Sequence, residues 1–521
     1  MIVDSRKIPT GTNIQADLCI IGAGAAGITI AREFLNHPSR VVLLESGGLG
    51  FREQTQSLYQ GSVAGHPYPP LHTCRRRTLG GTTSIWGGWC RPLDEIDFSK
   101  RDWVPFSGWP FSKDHLKAEY ARARAICKLG QDGSDGEVPG SGSDGHLPSQ
   151  VGRSFEDILF EVAPTRFGET YRTDIERAPN LDLMLYSNAL EIETDGNQRQ
   201  ARLVRVATLA GNHYLVSARE FVLAAGGIEN PRILLASRGS RSTGVGNDHD
   251  LVGRFFADHL HFGLPAILLD NRPVPEFYHL RKTGAAASRG GIALTDNVRR
   301  HQQLLGFAVT MHNGDDPHDL VYPTDKNAGY SSLQALVKPL MSGNLPDRPG
   351  HHFRTILRDL GNAASLSFRR LIKPRWRTLM LGCRAEQAPN PESRVSLDHE
   401  RDILGMNKVS LDWRLTEQDL DSLRKAQQIL NSALDLPAGH LEESISALTA
   451  NVTGASHHIG TTRMHRDPKF GVVDEMCRVH GISNLYIAGS SVFPTSGFAP
   501  PTLTIVALAV RLADCLKRSM G

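Results

Sequence analysis

The sequence predicts an α/β protein in two parts: a parallel, helix-flanked sheet, and a second domain built on an antiparallel sheet flanked by helices. Three observations predict it. Residues 16 to 48 alternate strand, glycine turn, helix and strand; strand-to-helix junctions recur near 225 and near 489; and strand-like runs recur between 255 and 415, on either side of a long irregular segment. At 521 residues the chain exceeds what one hydrophobic core organises, so a sizeable second layer is expected. A net charge of +3 points to neither nucleic acid nor an acidic partner. Seven cysteines, an odd number with no C-x-x-C pair, indicate neither a disulfide framework nor a zinc site and fit a reducing compartment. The N-terminus carries no signal-peptide pattern and no stretch reaches the length of a transmembrane helix, so a cytoplasmic location is expected.

The first element, A-D-L-C-I-I-G-A-G-A-A-G, is a short apolar strand running into Gly22, Gly24 and Gly27, with a helix to about Leu35. The next strand, Val41 to Leu44, ends on Glu45. This βαβ unit is a Rossmann-like dinucleotide site. Gly22 permits the tight turn, Gly24 the approach of a pyrophosphate, Gly27 close helix packing, and Glu45 can accept hydrogen bonds from ribose hydroxyls. The motif by itself does not separate FAD from NAD, although its place at the start of a long chain leans towards FAD.

A glycine and tryptophan-rich segment, L-G-G-T-T-S-I-W-G-G-W-C (79 to 90), reads as a loop that lets a planar ring approach the backbone. Residues 130 to 146 read as a mobile loop of Gly, Ser and Asp. Runs at 180 to 192 and 201 to 209 read as strands of a small sheet, and A-A-G-G-I-E-N-P-R (224 to 232) as a second strand-to-helix junction. Further strands are expected around 264 to 269, 304 to 311 and 394 to 415, with an amphipathic helix from about Gln418 to Leu434. A basic stretch between Arg348 and Arg377 reads as a solvated face or a lid. In the last segment, strand Leu485 to Ala488 ends in Gly489, Ser490 and Ser491, and Pro500, Pro501 and Thr502 precede the final helix.

Together these motifs resemble the glucose-methanol-choline (GMC) flavoprotein oxidoreductases: G-A-G-A-A-G with Glu45, L-G-G-T-T, A-A-G-G-I-E-N-P-R, H-x-x-G-T-x-R-M, and N-L-Y-I-A before P-T-L-T. W-G-G near residue 86 looks like the family's bacterial sugar-oxidising, pyranose oxidase-like branch. The resemblance implies an FAD-binding domain of p-hydroxybenzoate hydroxylase-like architecture over 1–254, with an inserted loop at about 110–160. A substrate domain over 255–450 and a C-terminal return over 451–521 complete it. FAD would be held by Gly22, Gly24, Gly27 and Glu45, with Gly80, Gly81, Thr82 and Thr83 near the flavin. Gly489 and Ser490 would approach the pyrophosphate, and Pro501 with Thr502 the pyrimidine edge of the ring. Where pyranose oxidases place a histidine bonded covalently to flavin, this chain has Ile85, so non-covalent FAD is expected.

The same resemblance makes His457, first residue of H-x-x-G-T, the base that takes a hydroxyl proton, as a neutral imidazole can at physiological pH. It implies a small-molecule substrate, a sugar, glycoside or other alcohol, and an external electron acceptor. The family's second hydroxyl ligand, His or Asn, falls on Pro500, which has neither a side-chain polar atom nor an N–H; His458, Ser496 or water are the candidates to replace it. Two further readings compete: a specialised oxidation such as desaturation or oxidative decarboxylation, motivated by Pro500, and a non-catalytic flavin-binding protein.

Overall fold

A computed structural model describes residues 1–130, 151–239, 242–268, 274–313, 336–337, 350, 353, 356, 378–434 and 452–521. All but Gly130 of the glycine-rich run expected at 130 to 146, and nearly all of the basic stretch 348 to 377, lie outside the described residues.

The dinucleotide unit forms as its pattern dictates. Strand Asn13–Ile21 feeds helix Ala25–Glu33, and strand Val41–Glu45 returns parallel to it, buried along its whole length. Such a run is continuously apolar because helices cover both faces of a parallel sheet. A methyl group on Gly27 would sit 1.8 Å from the Gly22 carbonyl oxygen, so this position admits no side chain while helix and strand stay packed.

The first sheet has eight strands, in the order Ile2–Asp4, Leu181–Leu185, Val41–Glu45, Asn13–Ile21, His213–Leu223, Ala201–Ala207 and Asn188–Thr194, with Leu485–Ile487 also pairing to His213–Leu223. The runs at 180 to 192 and 201 to 209 are therefore no separate small sheet. Leu181–Leu185 pairs parallel to Val41–Glu45, while the next two strands extend the same sheet as an antiparallel meander. Alternation fixes which side chains face inward and leaves the pairing partner open. The final helix, Thr502–Met520, packs its apolar face on helices Ala25–Glu33 and Lys117–Cys127, burying Leu503, Val506, Ala507 and Val510.

A second eight-stranded sheet runs Thr453–Gly454, Leu260–Leu268, Thr378–Ala385, Phe307–Asn313, Ala286–Leu294, Phe155–Val162 and Trp89–Cys90, with Arg281–Thr283 beside Ala286–Leu294. Each of its pairings is antiparallel. It draws two strands from before residue 254 and one from after 451, so three stretches of chain close around the space between the sheets. Arg394–Arg401, Asn407–Trp413 and Gly61–Gly65 form a third, smaller sheet, and helix Glu417–Leu434 lies where amphipathic spacing predicts it. Among the described residues no helix is long and apolar enough to cross a membrane.

Candidate active site

A cavity of about 590 Å³ opens between the two large sheets. At one end it is bounded by the turn after strand Asn13–Ile21. Gly22 adopts φ +108°, and Gly24, at the start of helix Ala25–Glu33, has open space where a side chain would project. The helix has no side-chain N-cap, so its first-turn N–H groups are left for an anion. Glu45 is buried at the same end, its carboxylate accepting the N–H groups of Ala23 (3.1 Å) and Gly47 (2.7 Å); burial pushes its pKa up.

Two further junctions meet this one. Asn230 joins them, accepting the Ala225 N–H at 2.8 Å and donating to Ser491 Oγ at 2.9 Å. Ser490 Oγ donates to the His458 carbonyl and Thr461 Oγ1 to that of Gly227, both at 2.6 Å, which fastens the C-terminal loop to the Ala224–Gly227 turn. Gly489 holds φ +127° with only Asn230 near a would-be side chain. Glu229, on the cavity wall, binds Arg75, Arg77 and Arg232; burial pushes its carboxyl up, but the three guanidinium charges outweigh this and hold it at about 2.

Of the residues singled out in the sequence, Gly22, Gly24, Glu45, Gly81, Thr82, Thr83, His457, Gly489, Ser490, Pro501 and Thr502 all line this one cavity. Gly27 and Gly80 do not. Gly27 packs on the Gly22 carbonyl, and Gly80 turns the chain at φ +91° against Gly168 while its N–H bonds the Ala23 carbonyl at 2.8 Å. Their smallness serves the backbone around the cavity. Uncapped helix amides, glycines that leave space unfilled and a buried carboxylate fit a dinucleotide of the size of FAD.

His457, half-buried, lines the same cavity. Its backbone N–H donates to Asp258 Oδ1 at 2.9 Å, and Tyr68 holds the other carboxylate oxygen at 2.5 Å. Its Nδ1 lies 2.8 Å from Nδ1 of His259, whose Nε2 lies 3.4 Å from the Ser496 carbonyl oxygen. The His261 ring meets it edge-on at 5.9 Å, and Arg384 Nε donates to His261 Nε2 at 2.9 Å. Burial first, then electrostatic repulsion between a protonated ring and its neighbours His259, His261, the Arg384 guanidinium and His458, hold His457 well below the usual imidazole range. Burial and Arg384 hold His259 at about 4.

His259, His261 and Arg384 were not singled out in the sequence. His259 and His261 carried a signal, since alternate positions entering a strand share a face; Arg384 carried none. Of the candidates to replace the ligand absent at Pro500, His458 turns its Nε2 to Cys74 Sγ at 3.7 Å and is ringed by Tyr68 and Phe256. Ser496 lies off the cavity wall and offers its carbonyl to His259. Pro500 and Pro501 both line the cavity.

Residues 389–509 match the family model described as GMC oxidoreductase. Over 96% of its length the chain is 25% identical to 6'''-hydroxyparomomycin C oxidase of Streptomyces lividus, covering 91% of that protein. It is 22% identical to the fructose dehydrogenase large subunit of Gluconobacter japonicus, over 96% of this chain and 98% of that one. Among solved structures, pyridoxine 4-oxidase from Mesorbium loti superposes with a TM-score of 0.55 at 16% identity, covering 96% of this chain and 98% of the other.

Proposed function

We propose that the chain, whose residues 389–509 match the GMC oxidoreductase model, is an FAD-dependent member of that family that oxidises a hydroxyl-bearing carbon of a sugar, glycoside or other alcohol. One observation carries the reading: a neutral imidazole, His457, lines the same cavity as the glycine turns and Glu45. Bound FAD would supply a two-electron acceptor for the hydride leaving the substrate carbon. The chain's own residues supply the rest. Gly22, Gly24, Glu45, Gly489, Ser490 and Thr502 would hold the cofactor, Gly81, Thr82 and Thr83 would border its ring, and His457 takes the hydroxyl proton. Ile85, on the cavity wall, has no nucleophile to bond a flavin, which favours non-covalent attachment.

The base is neutral because its surroundings make the charged form costly, so it is ready to accept a proton at pH 7 without first losing one. His261 and Arg384 add polar side chains to the cavity lining, to which Pro500 adds none. The relatives' printed names define a panel: fructose, 2-methyl-1,2-propanediol, paromamine and 5-(hydroxymethyl)furfural, extended with common hexoses and glycosides. At least one member is expected to bleach the flavin absorption of the holoenzyme without oxygen. A flavin that meets no reductant except dithionite would instead support a non-catalytic flavin-binding protein.

A second reading, a specialised desaturation or oxidative decarboxylation, is favoured by Pro500 alone. Losing one partner of a buried polar pair costs about 1–3 kcal/mol, or tenfold to hundredfold in rate. Pro500→Asn separates the two, because alcohol oxidation is expected to proceed as fast or faster in the variant, whereas a reaction that needs no second hydroxyl ligand slows.

A further inference from the structure

We infer that His259 is a positioning residue that fixes the tautomer of His457, so that Nε2 of His457 is the atom that receives the substrate proton. The inference rests on the reading of His457 as the base and adds to it the atom and the residue that selects it.

A short chain of contacts fixes where each proton sits. The Ser496 carbonyl oxygen can only accept, so the His259 Nε2 facing it at 3.4 Å carries hydrogen. His259 is neutral, being fully buried and beside Arg384, so its Nδ1 is a bare lone pair. The His457 Nδ1 at 2.8 Å must then be the donor of that contact, and a neutral His457 with hydrogen on Nδ1 has none on Nε2. When the substrate O–H bond breaks, its proton forms an N–H bond at Nε2, and the imidazolium keeps its Nδ1–H directed at the His259 lone pair. The charged and titratable groups around the ring are Asp258, His259, His261, Arg384 and His458. Asp258 holds the backbone N–H of His457, so it steadies the chain without competing for the ring.

The strand geometry makes this a built arrangement. Leu260 pairs with Gly454 and His261 with Thr453, which brings the end of one strand alongside the segment leading to His457. The Ala257 N–H bonds the Ile459 carbonyl and the Ile459 N–H the Ala257 carbonyl on its other side, so both histidines are held between paired backbones.

Histidine-selective 15N NMR of the oxidised holoenzyme, with His457→Ala and His259→Asn spectra to assign the signals, is expected to show hydrogen on Nδ1 of His457; hydrogen on Nε2 overturns the inference. Kinetics supply a second readout with whichever panel alcohol reduces wild type fastest. His259→Phe, which removes the acceptor, is expected to slow anaerobic flavin reduction roughly 100-fold with the substrate's apparent Kd unchanged. His259→Asn, whose amide oxygen can accept from Nδ1–H, is expected to recover most of the rate. Wild-type rates in His259→Phe, or equal losses in both variants at equal flavin content, overturn it. The base reading is judged separately: it fails if His457→Ala still reduces the flavin, whatever His259 variants do.

Discussion

His457→Ala is expected to slow anaerobic flavin reduction by about 10²–10⁴-fold while the protein still binds FAD. The size follows from losing a general base outright. Retention of FAD follows from the contacts: Glu45 is held by the Ala23 and Gly47 N–H groups, and the Ser490 bond goes to the neighbouring His458 carbonyl, none of which the substitution removes. Stopped-flow absorbance with the fastest panel alcohol measures the rate, and the flavin-to-protein absorbance ratio measures retention. Because burial and nearby positive charge depress the His457 pKa well below 6.5, the wild-type rate is expected to stay flat as pH falls from 8 through 6.5, where an ordinary histidine would protonate and lose basicity. Stability behaves differently. His259 and His458 titrate at about 4 and about 3 in the folded state, so below about 6.5 the unfolded chain binds more protons and folding weakens as pH falls. Acid inactivation should therefore coincide with loss of structure, followed by circular dichroism, while the rate of the surviving folded enzyme holds.

The parts of this site that could be read from the sequence are those in which a local conformation needs a particular residue. Gly22, Gly489 and Gly80 stand at positive φ, and Gly27 where no side chain fits; each announces itself because nothing else serves. The strand-to-helix junctions were legible for the same reason, and Glu45 by its distance from the glycines. What escaped was set by pairing across long stretches of chain. Strand Phe155–Val162 joins Ala286–Leu294, and Trp89–Cys90 joins Phe155–Val162 in turn, although nothing in their alternation names a partner. His259 and Arg384 come to His457 only because strands Leu260–Leu268 and Thr378–Ala385 are neighbours and the C-terminal segment lies along them. Arg384, in a run of mostly apolar residues, looks like any other charge until its partners are placed.

The largest expected loss of stability comes from a residue the sequence did not mark, Glu386. It follows the strand carrying Arg384 and is fully buried, its carboxylate taking both terminal nitrogens of Arg101 at 2.8 and 2.5 Å and the Gly306 N–H at 2.9 Å. Arg299 bridges from Glu386 at 3.5 Å to Asp97 at 2.7 Å. Burial alone would raise the Glu386 carboxyl; the Arg101 charge and hydrogen bonds, with Arg299, hold it below its usual range. Glu386→Ala leaves two guanidinium groups facing one carboxylate in the interior, and breaking such a buried set from one side costs about 3–5 kcal/mol. Urea denaturation should register the full amount near neutral pH. As pH falls below the unfolded-state value of about 4.5 the gap between variant and wild type should narrow, because a carboxyl held low contributes its stability only where the unfolded chain is also ionised. Arg101→Met combined with Glu386→Leu, which removes the stranded charge, should recover more than half the loss. The same cluster reaches the active site: the Asp97 carbonyl accepts the Thr495 hydroxyl at 2.7 Å, and a side chain on Gly497 would lie 2.3 Å from the Asp97 carboxylate. Ser496, between them, offers the carbonyl that faces His259. Glu386→Ala protein that remains folded should therefore also reduce its flavin more slowly, with His457 and the cofactor contacts untouched; a folded variant with wild-type reduction would show that the charge cluster and the histidine pair are mechanically independent.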